Sequence, residues 1–317
     1  MWCASQATWC GEKTWSAWAG IRWTIMPWRR WSAWVCSGAG PTVDMSGLIA
    51  GWQPLGLVDG PGCRFVLFFQ GCNMFCPTCH NPHTRQLCVG CGNCVAVCPG
   101  GALKLEGGQL RFDAETCEAC ERCVDVCVHS ANPRARRMTV ADVVEMVRPY
   151  KPYLAGVTLS GGEVTCQPRF ARKLLLALEG ELALAGLLDS NGLATREVWD
   201  QLLPAAEGVL LDIKAVEPEL HRQLTGTELA PVLASLKYIH GQGKLVEVRH
   251  LLIPGFTAGE EHFRKLCALV REMTPQPPLR LLAYSNLRAD KEIPALSQEE
   301  LASWQERARE AGIERVI

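Results

Sequence analysis

The sequence Arg64-Phe-Val-Leu-Phe-Phe-Gln-Gly-Cys-Asn-Met-Phe-Cys-Pro-Thr-Cys79 joins a strand-like apolar run directly to three cysteines. These three cysteines are Cys72, Cys76 and Cys79. Three thiolates bind only three irons of a four-iron cubane, so the fourth iron keeps an open coordination position. Electron-transfer [4Fe–4S] clusters use four cysteines, whereas an open position is typical of catalytic metal centres. A zinc site completed by His80 or His83 is the alternative.

Two further cysteine runs follow, Cys88-x2-Cys91-x2-Cys94-x3-Cys98 and Cys117-x2-Cys120-x2-Cys123-x3-Cys127. The first has the spacing and the following proline of a bacterial ferredoxin, while the second has Val128 in place of the proline. In two-cluster ferredoxins the fourth cysteine of each run binds the other cluster. We therefore predict one cluster on Cys88, Cys91, Cys94 and Cys127, and another on Cys98, Cys117, Cys120 and Cys123. A zinc ribbon is the alternative, although thiolate-rich ligation favours iron–sulfur clusters.

Beyond these runs, strand-like and helix-like segments alternate. Strands are predicted at Leu154–Leu159, Leu184–Leu188, Gly208–Leu211, Leu245–Leu252 and Leu279–Ala283. Helices are predicted at Val140–Val147, Pro168–Leu178, Thr195–Leu203, Leu229–His240, Glu260–Met273 and Gln298–Ala311. Such alternation predicts a parallel sheet, and continuous apolar strands indicate burial on both faces.

The chain length sets the size of the predicted fold. Without a ferredoxin-like insertion at 84–137, the chain is shorter than the roughly 250 residues of a full eight-unit barrel. We predict an α/β fold, a partial parallel β/α barrel of about six units at 45–83 and 138–317. The insertion is predicted to be a ferredoxin-like domain with two [4Fe–4S] clusters.

Residues 1–44 differ from the rest of the chain. Eight of the eleven tryptophans lie there. The segment has no apolar core of a signal peptide and no helical or strand periodicity. We interpret it as an unstructured, wrongly assigned start, with translation beginning at Met45. A genuine tryptophan-rich appendage is the alternative.

Composition excludes several classes of protein. The net charge is −1, which argues against nucleic acid as a main partner. The longest apolar stretch, 174–188, is interrupted by Glu179 and Glu181, so no membrane span is predicted. A chain with 17 cysteines and ample length for a core does not need disulfides, which favours metal binding. An open-site cluster is expected to be oxygen-sensitive, so we expect a cytoplasmic, anaerobic setting.

Polar motifs follow the predicted strands. They are Ser160-Gly-Gly-Glu163, Asp189-Ser-Asn-Gly192, Asp212-Ile-Lys214 and Arg249-His-Leu-Leu-Ile-Pro-Gly255. Barrel enzymes carry their active sites at the carboxyl ends of the strands. Gly161 and Gly162 would let backbone approach a ligand, and Glu163 would accept a hydrogen bond from an ammonium. Cys166 either packs in the core or lines the site.

Together these motifs resemble a known family. Cys72-x3-Cys76-x2-Cys79 before a βα repeat with Ser-Gly-Gly-Glu resembles the radical S-adenosylmethionine (SAM) enzymes. Val58-Asp-Gly-Pro-Gly62 and Gly71-Cys-Asn through Pro82 are similar to glycyl-radical-enzyme activating enzymes. Thr158–Gln167, Leu188–Gly192 and Gln223–Gly226 are most similar to the YjjW-type activating proteins, and the insertion is similar to that of the subgroup with two additional clusters.

The resemblance implies roles for individual residues. Cys72, Cys76 and Cys79 hold the catalytic cluster, whose open iron takes the amino and carboxylate groups of SAM. The implied SAM-binding residues are Thr78, His80, Gly161, Gly162, Glu163, Asp189, Asn191, Asp212, Lys214 and His262. Asp189 and Asp212 are implied to hold a monovalent cation. Thr78 replaces a frequent aromatic residue, and Ala215 replaces a frequent histidine.

The resemblance also implies a reaction. It is the reductive cleavage of SAM and the removal of a glycine Cα hydrogen from a partner glycyl radical enzyme, in an anaerobic setting. The insertion is expected to relay electrons from reduced flavodoxin or ferredoxin, with a structural or docking role as alternatives. The chain is expected to act as a monomer. Two other hypotheses are a radical SAM enzyme with another substrate and a ferredoxin-type electron-transfer protein.

Overall fold

A computed structural model describes residues 46–286 and 292–317. The segment 1–44, predicted to be a false start, lies outside the described residues. The strands are β1 (Ser46–Gly56), β2 (Arg64–Phe69), β3 (Leu103–Glu106), β4 (Gln109–Phe112), β5 (Arg136–Thr139), β6 (Gly156–Gly161), β7 (Gly186–Ser190), β8 (Gly208–Asp212), β9 (Leu245–Leu252) and β10 (Leu279–Ala283). The helices are α1 (Arg122–Asp125), α2 (Val140–Val147), α3 (Pro168–Leu182), α4 (Arg196–Leu202), α5 (Pro218–Thr225), α6 (Ala230–Gly241), α7 (Glu260–Arg271) and α8 (Gln298–Glu310). None of these helices is both long and apolar enough to cross a membrane.

The main sheet has eight strands in the order β10-β9-β8-β7-β6-β2-β1-β5. Strands β2 and β6 to β10 run parallel to one another, while β1 and β5 pair antiparallel at one edge. The predicted α/β fold with a largely parallel sheet is therefore confirmed. Closure into a barrel of a particular size stays a prediction.

Strands β1 and β5, which extend the sheet beyond β2, were not predicted from the sequence. Strand β1 contains three glycines, and glycine weakens the pattern by which strands are recognised. The structure explains Gly47, because a Cβ there would lie 2.3 Å from Cδ1 of Phe170. Glycine thus lets α3 pack closely on this strand. Helix α5 was also missed, although Pro218 begins it and Gly226 follows it with φ +74°, both of which are boundary signals.

The two faces of the parallel sheet differ in character. Leu159, Leu188 and Leu211 face the helices and are fully buried in the main apolar core. The opposite face carries charge, because buried Arg249 contacts buried Glu247 through Nε and Oε1 at 2.6 Å. The predicted burial of the strands on both faces is confirmed here, since Arg249 and Glu247 are buried although they are charged. Charged groups are tolerated there because they are paired with one another.

The chain leaves the main sheet after β2 and returns to it at β5. The intervening residues form the β3–β4 hairpin and the short helix α1. They have a small core of their own, in which Cys94, Leu103 and Cys123 are buried. The cysteines thus take the central place that apolar side chains occupy in a larger domain. The boundaries 84 and 137 stay predictions.

Candidate cluster and cofactor site

The loop Cys72–Cys79 follows β2 and is held by backbone hydrogen bonds from two sides. The amide of Cys72 donates to the carbonyl of Arg85 at 2.8 Å. The amide of Phe75 donates to the carbonyl of Thr225, at the end of α5, at 2.9 Å. The motif Gln223–Gly226 noted in the sequence therefore supports the cysteine loop. Backbone bonds of this kind fix where the three thiols lie.

The thiols of this loop interact electrostatically with one another. Desolvation raises the pKa of Cys76 to about 12, although the charges of Lys214 and Arg85 oppose the rise. Desolvation also raises the pKa of Cys72, with further increases from Glu163 and Cys76. Bound iron would reverse these shifts, because a coordinated thiol loses its proton. The fit to an iron–sulfur cluster comes from the donor set, three cysteine thiols carried by one loop.

A single zinc ion is the alternative occupant of the three cysteines. Within 46–286 and 292–317, no group of three or more His, Cys, Asp or Glu side chains is arranged to hold a metal ion. Cysteines that ligate a cubane each bind a different iron, so they need not converge on one point. Both the cluster and the zinc alternative for Cys72, Cys76 and Cys79 therefore stay predictions.

Gly161 and Gly162 allow close packing between β6 and the cysteine loop. A Cβ on Gly162 would lie 2.2 Å from the carbonyl oxygen of Gly71, and one on Gly161 would lie 2.3 Å from the amide nitrogen of Phe69. Gly161 also has φ +109°, which side chains rarely adopt. The need for glycine here comes from the protein's own backbone. Contact of these residues with SAM stays a prediction.

Glu163 is almost completely buried, with 1% of its surface exposed. Its carboxylate accepts hydrogen bonds from the amide and hydroxyl of Thr165 at 3.0 and 2.7 Å. It also accepts from the hydroxyl of Ser190 and the amide of Asn191, both at 2.8 Å. Burial raises the pKa of Glu163, and these bonds oppose the rise. The side chain therefore joins the ends of β6 and β7, and its predicted bond to an ammonium stays a prediction.

Asn191 lies beside the cysteine loop. Its side-chain amide is 3.7 Å from the sulfur of Cys72 and donates to Oδ1 of Asn73 at 2.9 Å. Its Oδ1 accepts from the amide of Leu193 at 2.9 Å, which fixes the orientation of the amide group. Hydrogen bonds to cluster sulfurs tune reduction potential. Asn191, which was predicted to contact SAM, is thus also placed to contact Cys72, a proposed ligand of the cluster.

Asp189 stands at the end of β7 between a hydroxyl and a guanidinium. Its Oδ2 accepts from Ser160 Oγ at 2.6 Å, and its Oδ1 lies 3.4 Å from Nη1 of Arg249. Burial raises the pKa of Asp189 to about 6, against the opposing charge of Arg249. A further positive group beside this carboxylate would favour its ionised form.

Asp212 and Lys214 form an ion pair at the end of β8. Nζ of Lys214 donates to Oδ2 of Asp212 at 2.5 Å. Burial alone would raise the pKa of Asp212, but Lys214 and Arg249 bring it below its usual value. The ammonium of Lys214 also lies near enough to lower the pKa of Cys76. The pair therefore connects the strand ends electrostatically to the cysteine loop.

The remaining predicted residues lie around this edge in different environments. Thr78 is buried and His80 is exposed. Nε2 of His80 accepts from the amide of Ser285 at 3.2 Å. His262 pairs through Nδ1 with Glu217 and stacks on His250, with ring centroids 5.1 Å apart. Cys166 is buried and makes interactions of its own.

The insertion brings one predicted set of cysteines together. Cys88, Cys91, Cys94 and Cys127 line a single cavity, as expected if Cys127 completes the first cluster. In the other set, the pKa of Cys123 is raised mainly by desolvation and also by Cys117 and Cys120. The donor set fits iron–sulfur clusters because it consists of thiols. Binding of the two clusters stays a prediction.

Two arginines of this region were not identified from the sequence. Arg249 was noted only as the start of a motif, yet its Nη2 donates to the carbonyl of Val58 at 2.9 Å. Arg85 was not noted, yet its Nη1 donates to the carbonyl of Cys76 at 2.7 Å. No sequence signal marks a side chain whose partners are distant backbone carbonyls. Only the folded structure reveals such residues.

Comparison with known proteins places these observations in a family. The family model of the radical SAM superfamily matches residues 66–267. The pyruvate formate-lyase-activating enzyme of Streptococcus mutans is 31% identical over 252 residues, which span 77% of this chain and 79% of that protein. The choline trimethylamine-lyase activating enzyme of Oleidesulfovibrio alaskensis is 31% identical over 247 residues, spanning 72% and 79%. The pyruvate formate-lyase 1-activating enzyme of Escherichia coli K12 is 28% identical over 255 residues, spanning 78% and 85%.

A solved structure shows a weaker likeness. A domain of pyruvate-formate lyase-activating enzyme from Bacteroides vulgatus aligns with a TM-score of 0.44 and 21% identity, covering 51% of this chain and 98% of that chain.

Proposed function

This chain belongs to the radical SAM superfamily and is related to glycyl-radical-enzyme activating enzymes, and we propose that it is itself such an activase. Its proposed substrate is a glycine of a partner glycyl radical enzyme, from which it removes one Cα hydrogen atom. The observation that carries the proposal is the gathering of Cys72, Asn191 and Glu163 by direct hydrogen bonds at one edge of the sheet. The proposed class of partner, a glycyl radical enzyme, is supported by the relatives, which are named as activating enzymes of lyases.

Cys72, Cys76 and Cys79 are the proposed ligands of the catalytic [4Fe–4S] cluster. When bound, this cluster supplies one electron to SAM, which yields methionine and a 5′-deoxyadenosyl radical. Asn191 donates toward the sulfur of Cys72 and would help to hold that ligand. Asp189, Asp212 and Lys214 supply the charges at the strand ends that would position the amino and carboxylate groups of methionine. Positioning of this kind is the protein's main contribution in cofactor enzymes.

The other predicted SAM contacts belong to the same proposal. Gly161 and Gly162 bring the backbone of β6 against the cysteine loop, while Thr78, His80 and His262 lie around it. A monovalent cation between Asp189 and Asp212 is also proposed. It would have to share Asp212 with the ammonium of Lys214, which already lies 2.5 Å from Oδ2.

The insertion is proposed to hold two further [4Fe–4S] clusters and to relay electrons. The cavity lined by Cys88, Cys91, Cys94 and Cys127 supports one of them. A reduced flavodoxin or ferredoxin is the proposed donor, because it carries single electrons at low potential. The YjjW-type subgroup, with two such clusters, remains the proposed placement within the activases.

The test is anaerobic reconstitution of the full chain with iron and sulfide. About twelve irons per chain are expected for three cubanes, together with release of 5′-deoxyadenosine from SAM under strong reductant. Cys76→Ala should abolish the release, while Cys63→Ser, which changes an isolated cysteine, should retain it. Mixing with a glycyl radical enzyme encoded beside this gene should then give a glycyl radical signal by electron paramagnetic resonance (EPR). Release without that signal would favour another substrate, and no release from a loaded chain would favour an electron-transfer protein.

A further inference from the structure

The cysteine loop and the insertion are joined by the short segment Thr84–Gln86. The carbonyls of Thr84 and Arg85 accept hydrogen bonds from Gly71 and Cys72, both at 2.8 Å. The amide of Gln86 donates in the other direction, to the carbonyl of Ser130 at 3.1 Å. Successive residues therefore hold the proposed catalytic loop on one side and the end of the second ferredoxin run on the other.

The side chain of Arg85 spans the same junction. Its Nη1 donates to the carbonyl of Cys76 at 2.7 Å, and its Nη2 donates to Oγ of Ser130 at 2.7 Å. The guanidinium lies 4.3 Å from the centre of the Phe75 ring, so a cation–π contact also fixes it. Its Nε is buried without a hydrogen-bond partner among the described atoms. An unpartnered buried donor is costly, and a nearby thiolate or cluster sulfur would satisfy it by accepting a hydrogen bond.

Ser130 connects this side chain to the first set of insertion cysteines. Its amide donates to the carbonyl of Cys127 at 3.3 Å. Its backbone has φ +52°, a conformation that persists in a non-glycine residue only where surrounding contacts enforce it. His129 and Ala131, its neighbours on either side, line the cavity of Cys88, Cys91, Cys94 and Cys127. The far end of the Arg85 bridge therefore lies at the wall of that cavity.

The second set of cysteines has no comparable connection. In the described part of the chain, Ser130 donates to the carbonyl of Cys127 of the first set, whereas none of Cys98, Cys117, Cys120 and Cys123 takes part in a hydrogen bond with Arg85 or Ser130. The two predicted insertion clusters are thus unequal in their link to the catalytic loop.

We propose that Arg85 is the positioning residue through which the cluster on Cys88, Cys91, Cys94 and Cys127 passes electrons to the catalytic cluster. This inference rests on the proposed function. In the step, one electron leaves the reduced insertion cluster, which is oxidised, and enters the catalytic cluster, which is reduced, with no bond made or broken. The other insertion cluster accepts electrons from the external donor and precedes this one.

The guanidinium suits this role because its planar fork donates to two acceptors in fixed directions. Its charge would also favour the reduced, more negative form of the catalytic cluster. Lysine would keep that charge but would replace the fork with a single ammonium. The charge and the bridge can therefore be separated by substitution.

The test uses the full chain reconstituted with all its clusters. Oxidised protein is mixed with reduced flavodoxin and frozen at increasing times, and EPR follows each cluster. The catalytic cluster is identified by the change in its signal when SAM is added. In the parent, reduction of the insertion should precede reduction of the catalytic cluster. In Arg85→Met, the insertion should be reduced as in the parent, and the catalytic cluster about tenfold more slowly or worse.

Three further variants locate the effect. Arg85→Lys should also be slow if the bridge matters, and reduction at the parental rate there would assign the effect to charge and overturn the proposal. Ser130→Ala removes only the far contact and should be slowed while Arg85 stays on Cys76. Arg111→Met changes an exposed arginine of the insertion and should match the parent. If Arg85→Met fails to load iron, Ser130→Ala decides the matter.

The order of the clusters has its own test. Cys88→Ser should stop flavodoxin from reducing the catalytic cluster, and an unchanged rate would overturn the proposal. Failure of the proposed function is distinguishable, because the parent would then release no 5′-deoxyadenosine even when excess dithionite reduces its catalytic cluster. If the parent does release it, and Arg85→Met is reduced by flavodoxin at the parental rate, only the inference about Arg85 fails.

Discussion

Glu163→Gln tests whether this buried carboxylate organises the site or binds the ligand. The carboxylate faces four donors, from Thr165, Ser190 and the amide of Asn191, and it is 1% exposed. A glutamine amide has one acceptor and one donor end. Whichever way it turns, a buried donor then faces another donor. The variant should therefore lose stability.

The magnitude follows from the bonds that change. One charge-assisted hydrogen bond is lost and one buried N–H is left unpaired, which together cost about 2–4 kcal/mol. For a chain of this size the unfolding midpoint should fall by roughly 5–10 °C. Thermal unfolding of the anaerobically reconstituted protein, followed by circular dichroism at a fixed scan rate, measures the shift. Glu179→Gln, an exposed change on α3, is the control and should shift the midpoint little.

SAM binding, measured by equilibrium dialysis, separates the two roles. A positioning role predicts that the loss of stability is present with and without SAM. An unchanged midpoint combined with a large loss of SAM affinity would refute the reasoning, since it would mean that the carboxylate contacts the ligand directly. Ser190→Ala removes one of the four donors and should cost about 1 kcal/mol.

Three other changes follow from the same geometry. Gly162→Ala places a Cβ 2.2 Å from the carbonyl of Gly71 and should destabilise the fold by about 1–3 kcal/mol in thermal unfolding. Asn191→Ala removes the donor near the Cys72 sulfur and should lower the potential of the catalytic cluster by about 20–60 mV in a redox titration. Burial lowers the pKa of His250 to about 3, so only the unfolded chain takes up this proton as pH falls below about 6.5. This uptake lowers the free energy of unfolding of the parent by about 1.4 kcal/mol at pH 5.5. His250→Asn should therefore show a smaller decrease in the free energy of unfolding between pH 7 and pH 5.5.

Each of these predictions has a control. Gly51→Ala, where a Cβ would meet nothing within 4 Å, should be nearly neutral, and equal destabilisation by both glycine changes would contradict the packing argument. An unchanged potential in Asn191→Ala would show that its amide does not act on the cluster. His250 packs against His262 and lies near Asp212 and Lys214. His240, which is only partly buried, provides the control: His240→Gln should leave the pH dependence of stability unchanged. A parent and a His250→Asn variant with the same pH profile would contradict the assigned pKa.

Much of the framework was predictable from local patterns. Strands β9 and β10 and helix α2 have the predicted bounds, because each is a run of apolar residues with a clear period. The family was also predictable, since the spacing of Cys72, Cys76 and Cys79 is a local property. Strand β1 was missed because its glycines serve tertiary packing, as Gly47 does against Phe170.

The sequence by itself determined which residue types could bind metal and that the polar motifs would follow parallel strands. It did so because thiol chemistry and strand periodicity act between residues close together in the chain. Only the tertiary structure decided that Glu163 faces protein donors and that Arg85 reaches from Cys76 to Ser130. Ser130 lies 45 positions beyond Arg85. Such pairs form because folding brings distant donors and acceptors together in buried surroundings, where each must find a partner.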